Sequence, residues 1–283
     1  MRIGLHVSIA GSLDKSVGRA KELGCNTFQL FTRNPRGWSF SGIPEGTIAS
    51  FREKILVSGI SPVIDHMPYL PNLASPNDEV YKRSVDTLKA ELDRCQQLGI
   101  PYLVTHLGSH LGSGAESGIQ RLTSALNDAL GSVNSNCIVL LENTAGQKNS
   151  FGTTFENIRD IMDKVSLHGR VGLCLDTCHA YAAGYDIKKS AGEVLDNLSS
   201  TLGIERLKVV HLNDSKGPLG SHLDRHEHIG LGEIGEAGFR SMLGDQHIRS
   251  LPLIMETPVD SRRDDLGNMK KLCELAGEVP PTS

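Results

Sequence analysis

Long apolar runs, paired cysteines and extended blocks of one charge are all absent from this 283-residue sequence. No apolar segment approaches the roughly 18 residues of a membrane-spanning helix. The chain opens with MRIGLHVS, which enters a predicted strand directly, so we expect neither a signal peptide nor a membrane anchor. The six cysteines form no CxxC pair, which in a chain of this length is typical of reduced thiols and predicts a cytoplasmic protein.

A linker rich in proline or serine is also absent. A length of 283 residues with 39% hydrophobic and 22% charged residues suits one large α/β barrel or two ordinary domains. Because no linker is visible, we predict a single domain over residues 1–283, of which 280–283 form a loose tail. The formal net charge of −4 counts, taken alone, against a nucleic-acid partner, although bound cations would change the local balance.

The segment VGLCLDTCH contains an apolar run typical of a buried strand, which ends in Asp176 and is followed three residues later by His179. Similar runs recur along the chain. They end in His66, His106, Glu142, His211 and Glu256. Successive closing residues are 34 to 45 residues apart, about the length of one strand plus one covering helix. The pattern therefore indicates repeated βα units whose strands end at a common rim.

Eight such units fill the chain. We predict strands at 2–7, 27–32, 62–66, 102–106, 138–142, 171–176, 207–211 and 251–257. We predict helices at 14–23, 48–57, 80–98, 119–130, 155–165, 191–202, 236–243 and 264–275, with a glycine-rich loop at 108–118 and a long polar loop at 213–233. This alternation predicts a (β/α)8 TIM barrel with extended loops at its C-terminal rim. An open doubly wound sheet is the alternative, but it would spread the strand ends too far apart to share a site.

Nine residues are candidate metal ligands: six end these strands, one closely follows Asp176, and two lie in the extra loop within the 45-residue gap before the last strand. They are His66, His106, Glu142, Asp176, His179, His211, Asp224, His226 and Glu256. A single histidine or carboxylate at a strand end is more often an ordinary hydrogen-bonding group. Several carboxylates that converge in a low-dielectric cavity, however, cost several kcal/mol or become protonated unless cations neutralise them. The joint pattern therefore predicts a metal centre.

Imidazole and carboxylate ligands without thiolate suit Zn, Mn or Fe. Nine protein ligands exceed the need of one or two ions that keep open positions, so we predict three ions. Asp224 and His226 lie on one face of an extended segment, and with His179 they could hold one ion apart from the other two. Glu142, in the middle of the set, is the predicted bridging carboxylate.

The remaining histidines and cysteines have weaker claims. Cys174 and Cys178 flank Asp176, but small buried cysteines without a ligand role are the commoner case. His6 ends the first strand and could lie beside the site. Three rim-loop histidines could contact phosphate or simply be solvated: His110, His222 and His228.

Clustered divalent ions are suited to phosphate chemistry, because they generate hydroxide near neutral pH and stabilise both the attacking and the leaving oxygen of an in-line displacement. Three divalent ions would also outweigh the four candidate carboxylates, so the site would attract a phosphodiester despite the negative overall charge. Two other functions stay open on this reasoning: a sugar isomerase or epimerase with one or two ions, and a non-catalytic metal- or DNA-binding barrel.

At this point the motifs identify a family resemblance. The relevant stretches are GLHVSIAGSL, FQLFTRNPRGW, LVTHLGSH, LENTAGQ, VGLCLDTCHAYAAGYD, HLNDSKGPLGSHLDRHEHIGLGEIG and PLIMETP. They extend from the first strand to the last, and the chain resembles endonuclease IV, the metal-dependent apurinic/apyrimidinic (AP) endonuclease family of base-excision repair. The resemblance implies an eight-stranded βα barrel with three zinc ions that cuts duplex DNA 5′ to an abasic site. The expected products are a 3′-hydroxyl and a 5′-deoxyribose phosphate.

The resemblance also implies a division of the ligands. One ion falls to His66, His106 and Glu142, a second to Glu142, Asp176, His211 and Glu256, and a third to His179, Asp224 and His226. Glu256 receives the role of orienting or deprotonating the attacking water, and Glu142 is the second catalytic carboxylate. The family acts as a monomer, so we expect no obligate protein partner.

DNA-binding residues follow from the resemblance as well. Arg36 in RNPRGW and Tyr69 and Leu70 in HMPYL match positions that enter the minor groove at the lesion. A bulky wedge would fill the gap while the abasic nucleotide is flipped into the metal pocket, and unstacking costs least where the base is already missing. Two positions depart from the family: His222 stands where arginine is common, and Leu231 replaces a frequently polar residue.

Overall fold

Eight parallel strands wind into a nearly closed barrel in the computed structural model, which describes residues 1–39 and 41–279. The strands are β1 (Arg2–Leu5), β2 (Phe28–Leu30), β3 (Val63–His66), β4 (Tyr102–His106), β5 (Ile138–Glu142), β6 (Val171–Asp176), β7 (Leu207–His211), β8 (Asp214–Ser215), β9 (His226–Glu227) and β10 (Pro252–Met255). All except β8 and β9 belong to the barrel, in the hydrogen-bonded order β1-β10-β7-β6-β5-β4-β3-β2. The predicted (β/α)8 fold is confirmed.

Helices separate the barrel strands along the chain. They are α1 (Lys15–Glu22), α2 (Glu45–Ser58), α3 (Asp78–Leu98), α4 (Ala115–Ser132), α5 (Phe155–Met162), α6 (Thr177–Ala183), α7 (Ile187–Leu202), α8 (Gly235–Gly244), α9 (Gln246–Ser250) and α10 (Asp265–Ala276), with 3₁₀ turns at His168–Arg170 and Ile204–Arg206. The prediction of eight helices missed α6 and α9, which are too short for a 3.6-residue period to be recognised. None of the helices in the described ranges has the length and hydropathy needed to cross a membrane.

Several predicted boundaries were wrong by a few residues. The loop predicted at 108–118 ends sooner, because α4 begins at Ala115 and Gly118 lies inside it. The first strand was predicted to reach residue 7, yet its regular pairing ends at Leu5. Element ends are where sequence patterns carry least information, since helix and strand termini depend on capping and tertiary contacts. The predicted loose tail at 280–283 lies outside the described residues.

The barrel closes where β1 meets β2. One parallel bridge pairs His6 with Gln29, and the backbone N–H of Val7 donates to the carbonyl oxygen of Gln29 at 2.7 Å. The other strand junctions have longer ladders, for example five residue pairs between β4 and β5. The closure is therefore made largely by the main chain around Gln29.

A separate apolar cluster fills the barrel interior. It consists of Ile64, Val104, Leu140, Cys174, Val209 and Ile254, all fully buried. Side chains two residues apart on a strand point to the same face, so the residue two positions later also points inward. In every case that residue is a predicted ligand: His66, His106, Glu142, Asp176, His211 and Glu256. The strand period therefore places the six ligands directly above an apolar plug.

The long loop after β7 is folded rather than irregular. It was predicted as a polar loop at 213–233, but it contains the antiparallel pair β8–β9, in which Ser215 is opposite His226. The buried carboxylate of Asp214 accepts hydrogen bonds from the backbone N–H groups of Gly230, Gly232 and Ile234 at 2.9–3.0 Å. This anchor bends the loop over the barrel mouth.

Candidate metal centre

A cavity of about 370 Å³ opens at the C-terminal ends of the barrel strands. Seven predicted ligands line it: His66, His106, Glu142, His179, Asp224, His226 and Glu256. The other two, Asp176 and His211, are completely buried against the same group. The structure thus brings all nine predicted residues together, although they come from positions up to 190 residues apart in the chain.

The nitrogen and oxygen atoms of these residues form three groups in which all the atoms lie within 4.8 Å of one another. The groups are His66–His106–Glu142, Asp176–His179–His226 and Glu142–Asp176–His211–Glu256. Two of the three match the division implied by the family resemblance. The remaining one contains Asp176 where the resemblance has Asp224.

Glu142 lies between four imidazoles. Its Oε2 is 3.2 Å from Nε2 of His66 and 3.5 Å from Nδ1 of His106. Its Oε1 is 3.0 Å from Nδ1 of His211 and 3.5 Å from Nδ1 of His179. The two oxygens face different groups, which is the arrangement that a bridging carboxylate requires.

His211 faces three carboxylates with one nitrogen. Its Nδ1 is 3.0 Å from Oε1 of Glu142, 3.4 Å from Oε2 of Glu256 and 3.9 Å from Oδ2 of Asp176. These three acidic residues come from three different strand ends. These strands are neighbours in the order β10-β7-β6-β5, so their carboxyl ends lie side by side around His211.

The third group spans the barrel rim and the long loop. Nε2 of His179 is 3.1 Å from Oδ1 of Asp224, and Nε2 of His226 is 3.6 Å from the same oxygen. Nε2 of His226 is also 3.6 Å from Oδ2 of Asp176. The two imidazoles therefore lie near two carboxylates, that of Asp176 and that of Asp224.

Local helix geometry explains the spacing of Asp176 and His179. Asp176 is the last residue of β6 and the N-cap of α6, and its Oδ1 accepts the backbone N–H of His179 at 2.7 Å. Capping of this kind fixes the carboxylate rotamer and leaves Oδ2 directed at the site. One short motif thus orients two of the nine side chains.

Two asparagines were not found by sequence reasoning. Asn143 donates to the carbonyl oxygen of Asp176 and accepts the backbone N–H of the same residue at 2.7 Å. Asn213 donates to Oδ2 of Asp176 at 2.7 Å and accepts the backbone N–H of Glu256 at 2.8 Å. The available signal was their position, because each closely follows the ligand that ends its strand, in LEN and HLN.

Hydrogen bonds set the tautomers of the histidines in a way that suits metal binding. Nδ1 of His66, His179 and His226 each faces a backbone carbonyl oxygen, at 2.7, 2.9 and 3.1 Å respectively. A carbonyl oxygen only accepts, so these nitrogens each carry a proton, and when the imidazole is neutral the lone pair lies on Nε2 and is directed at the site. Nε2 of His226 is buried and has no hydrogen-bond partner among the described residues. A cation would satisfy these atoms.

The close packing of carboxylates and imidazoles also shifts the pKa values of these residues. Burial alone would lower the pKa of His179, but Asp176, Asp224 and Glu142 outweigh burial and raise it to about 10. Burial alone would raise the pKa of Glu142, but the surrounding imidazoles hold it well below its usual range. Without a metal, protons must therefore supply the positive charge that these carboxylates need.

The three residues predicted to contact DNA lie beside the cavity. Arg36 is exposed, and Tyr69 and Leu70 are 63% and 40% exposed, which is unusual for large apolar side chains. The backbone N–H of Tyr69 donates to the carbonyl oxygen of Pro35 at 3.2 Å, which ties the two loops together. The ring of Tyr69 packs edge-on against Phe31, which also lines the cavity.

The other histidines lie in different environments, and the cysteines are buried. His6 lines the cavity, as expected. His228 was expected either to contact phosphate or to be solvated, but it is fully buried and its Nε2 lies 3.0 Å from Oδ1 of Asp260. His222 is exposed with φ 57° and its Nδ1 donates to the carbonyl oxygen of Ala145. Six free cysteines are buried, and none joins a group of metal-type ligands among the described residues.

Comparisons with known proteins agree with this geometry. A family model described as a xylose isomerase-like TIM barrel matches residues 17–276. Fold and site thus define a barrel enzyme with metal-type ligands at its C-terminal rim. A protein of Methanoculleus marisnigri named "Probable endonuclease 4" is 56% identical over 278 residues, covering 97% of this chain and 99% of its own length. The chain belongs to the endonuclease IV family.

Solved structures support the same assignment. Endonuclease IV from Thermus thermophilus superimposes with a TM-score of 0.88 at 35% identity, covering 99% of this chain and 100% of that one. A D-tagatose 3-epimerase-like protein superimposes with a TM-score of 0.72 at 20% identity, covering 98% of both chains. The second likeness concerns the fold alone.

Removing the metal should make the stability of the protein pH-dependent through His179. In the metal-free fold the pKa of His179 is about 10, against about 6.5 in an unfolded chain. Its protonation therefore stabilises the fold fully below about pH 6.5, and this contribution is lost as the pH rises towards the folded-state value. A metal ion bound at His179, which is a proposed ligand, would replace that proton. We expect the Tm difference between metal-loaded and chelated protein, measured by calorimetry, to widen from pH 7 to pH 10; a constant difference would contradict this.

Proposed function

We propose that this protein is a metal-dependent AP endonuclease of DNA repair, which hydrolyses the phosphodiester 5′ to an abasic site in duplex DNA. The products would be a 3′-hydroxyl and a 5′-deoxyribose phosphate. The main support is the convergence of nine imidazole and carboxylate side chains on one cavity, in a chain that matches endonuclease 4 relatives over 97–98% of its length. The exposed Tyr69 and Leu70 beside that cavity fit a DNA substrate.

The proposed cofactor is a set of three Zn²⁺ ions, with Mn²⁺ or Fe²⁺ as an alternative at one position. The proposed ligand sets are His66, His106 and Glu142; Glu142, Asp176, His211 and Glu256; and His179, Asp224 and His226. The interatomic distances of 3.0–3.9 Å between these groups, and the lone pairs directed at the site, support this assignment. Imidazole and carboxylate ligands without thiolate suit zinc, manganese or iron.

Bound divalent ions would supply hydroxide near neutral pH and neutralise charge on the phosphate. Glu256 is the proposed catalytic carboxylate that orients or deprotonates the attacking water. One of its oxygens is engaged by Gln29 at 2.6 Å, while the other lies at the centre of the cluster, 3.4 Å from His211. Glu142 would act with it by holding the two neighbouring ligand groups in a fixed relation.

Arg36, Tyr69 and Leu70 are the proposed minor-groove wedge. Tyr69 lines the cavity and Leu70 follows it on the same loop, so a nucleotide displaced by these side chains would enter the metal pocket. The energetic cost of unstacking is smallest where a base is missing, which gives preference for abasic DNA.

The remaining proposals concern the molecule as a whole. We propose a single catalytic domain over 1–283 that works as a monomer, without an obligate protein partner. A DNA substrate and six buried, unpaired cysteines fit a cytoplasmic location. A sugar epimerase on a similar barrel is the competing function, but it would give no role to the exposed Tyr69 and Leu70.

The deciding assay uses a duplex with one tetrahydrofuran analogue of an abasic nucleotide. We expect metal-loaded protein to nick the strand 5′ to the analogue, and prolonged chelation to abolish the cut until metal is restored. An intact duplex of the same sequence is the control. If the metal-loaded protein leaves the analogue strand whole, the proposed function is wrong, and epimerisation of ketoses becomes the activity to measure.

Glu256→Gln tests the catalytic carboxylate. The amide keeps the shape of the side chain but cannot take a proton from water, so kcat should fall by orders of magnitude while affinity for abasic duplex stays within a few-fold. Single-turnover kinetics and a fluorescence-anisotropy titration separate these two quantities. Cleavage by the variant at a near-normal rate would remove the proposed role of Glu256.

Tyr69→Ala tests the wedge. Loss of the ring should weaken binding to abasic duplex at least several-fold and leave the metal content unchanged, because the ring packs against Phe31 and Tyr69 is not one of the proposed ligands. Leu56→Ala is the matched control for lost apolar surface, since Leu56 is 84% exposed on α2. Metal analysis and binding titrations of both variants check the prediction. A loss of metal from Tyr69→Ala, or equal affinities for all three proteins, would contradict it.

A further inference from the structure

Gln29 is a buried polar residue beneath the proposed metal centre. It lies in the middle of β2, is fully buried, and pairs in register with Ile64 of the apolar barrel cluster. An amide in such surroundings is costly unless its hydrogen-bonding groups are satisfied. Its partners are three residues of the site: His6, His211 and Glu256.

The orientation of the Gln29 amide follows from its partners. Its Nε2 is 2.6 Å from Oε1 of Glu256, and an ionised carboxylate only accepts hydrogen bonds. The Nε2 group also lies 3.0 Å from Nδ1 of His6. Because the amide NH₂ only donates, Nδ1 of His6 is the acceptor in that contact.

The same orientation decides the tautomer of His211. With its NH₂ group turned to Glu256, Gln29 presents Oε1 to Nε2 of His211 at 2.9 Å. That oxygen only accepts, so Nε2 of His211 carries the proton. In the neutral imidazole, Nδ1 then holds the lone pair and faces Glu142 and Glu256.

We propose that Gln29 is a positioning residue for the metal group that contains His211 and Glu256. The proposal rests on the proposed function for its catalytic part. By engaging Oε1 of Glu256, Gln29 leaves Oε2 free for the site, and by accepting from His211 it directs that imidazole towards the same group. Hydrogen bonds of this kind to metal ligands commonly change metal affinity 10–100-fold.

The side chain of Gln29 can be changed without opening the barrel. The bridge between β1 and β2 uses its backbone carbonyl, which accepts from the N–H of Val7 at 2.7 Å. Replacement by methionine keeps a similar length and volume and removes all three side-chain hydrogen bonds. An apolar side chain is also compatible with the neighbouring Ile64.

The test compares Gln29→Met with Gln120→Met, a matched change at an exposed position of α4. Zinc affinity is measured by competition with a chromogenic chelator, and bound zinc by elemental analysis. We expect Gln29→Met to bind its weakest zinc ion about tenfold or more weakly. The Tm of the metal-free protein should fall by a few degrees, because His211 and Glu256 each lose a hydrogen-bond partner. Gln120→Met should behave as the unchanged chain.

Kinetics at saturating zinc test the second half of the proposal. With zinc restored, kcat on the tetrahydrofuran duplex should stay at least several-fold below that of the unchanged chain, because Glu256 is no longer held, while KM should change less than twofold. If Gln29 had only a structural role, saturating zinc would restore kcat to the value of the unchanged chain, or the substitution would alter kcat and KM together. Wild-type zinc affinity together with wild-type kcat in a folded Gln29→Met protein overturns the proposal.

Two further outcomes have defined meanings. If Gln29→Met does not fold, Gln29→Leu supplies the same measurements, and wild-type values in that protein also overturn the proposal. If the unchanged chain does not cut abasic DNA but Gln29→Met still binds zinc more weakly, the proposed function fails and the positioning of the metal ligands by Gln29 stands.

Discussion

Mutual repulsion among acceptor atoms is the constraint on which the rest of this structure depends. Carboxylate oxygens of Glu142, Asp176 and Glu256 lie within 3.0–3.9 Å of one imidazole nitrogen, and nearly all of this group is removed from water. Such an arrangement is unfavourable unless protons or cations supply positive charge. The barrel must therefore hold the side chains in place against a force that would separate them.

The barrel does so through hydrogen bonds to those ligand and backbone atoms that point away from the cluster. Nδ1 of His66, His179 and His226 each donates a hydrogen bond to a backbone carbonyl oxygen. The side-chain amides of Asn143 and Asn213 accept the backbone N–H groups of Asp176, at the end of β6, and of Glu256. Beneath them lies a tightly packed apolar layer. Since the framework makes these bonds by itself, the ligand geometry is prepared before a metal binds, and less ordering is needed at that moment.

The rim loops beside the cavity are held in place by hydrogen bonds to main-chain groups. The link between the backbone of Tyr69 and Pro35 joins the two loops that carry the proposed wedge, and the anchor at Asp214 holds the loop that brings Asp224 and His226 over the cavity. Both are interactions with main-chain groups, which are insensitive to the residue types at the loop tips. The overall charge of −4 is compatible with a DNA substrate because the charge that matters is that of the metal-loaded site.

The sequence by itself determined the repeating βα pattern and the six candidate ligands at the strand ends, because a two-residue strand period and a spacing of 34 to 45 residues are properties of the chain. The other three candidates, His179, Asp224 and His226, were recognisable as ligand-type residues just behind a strand end or in the long rim loop. It did not predict α6 or the β8–β9 ribbon, since short elements have too few residues to show a period. Nor did it predict the burial of His228, which depends on tertiary contacts with Asp260 and Asn268. Only the tertiary structure decided the tautomers of the histidines, the sharing of Asp176 between two groups, and the place of Gln29 under Glu256. Those depend on distances between residues up to 227 positions apart, which no local pattern contains.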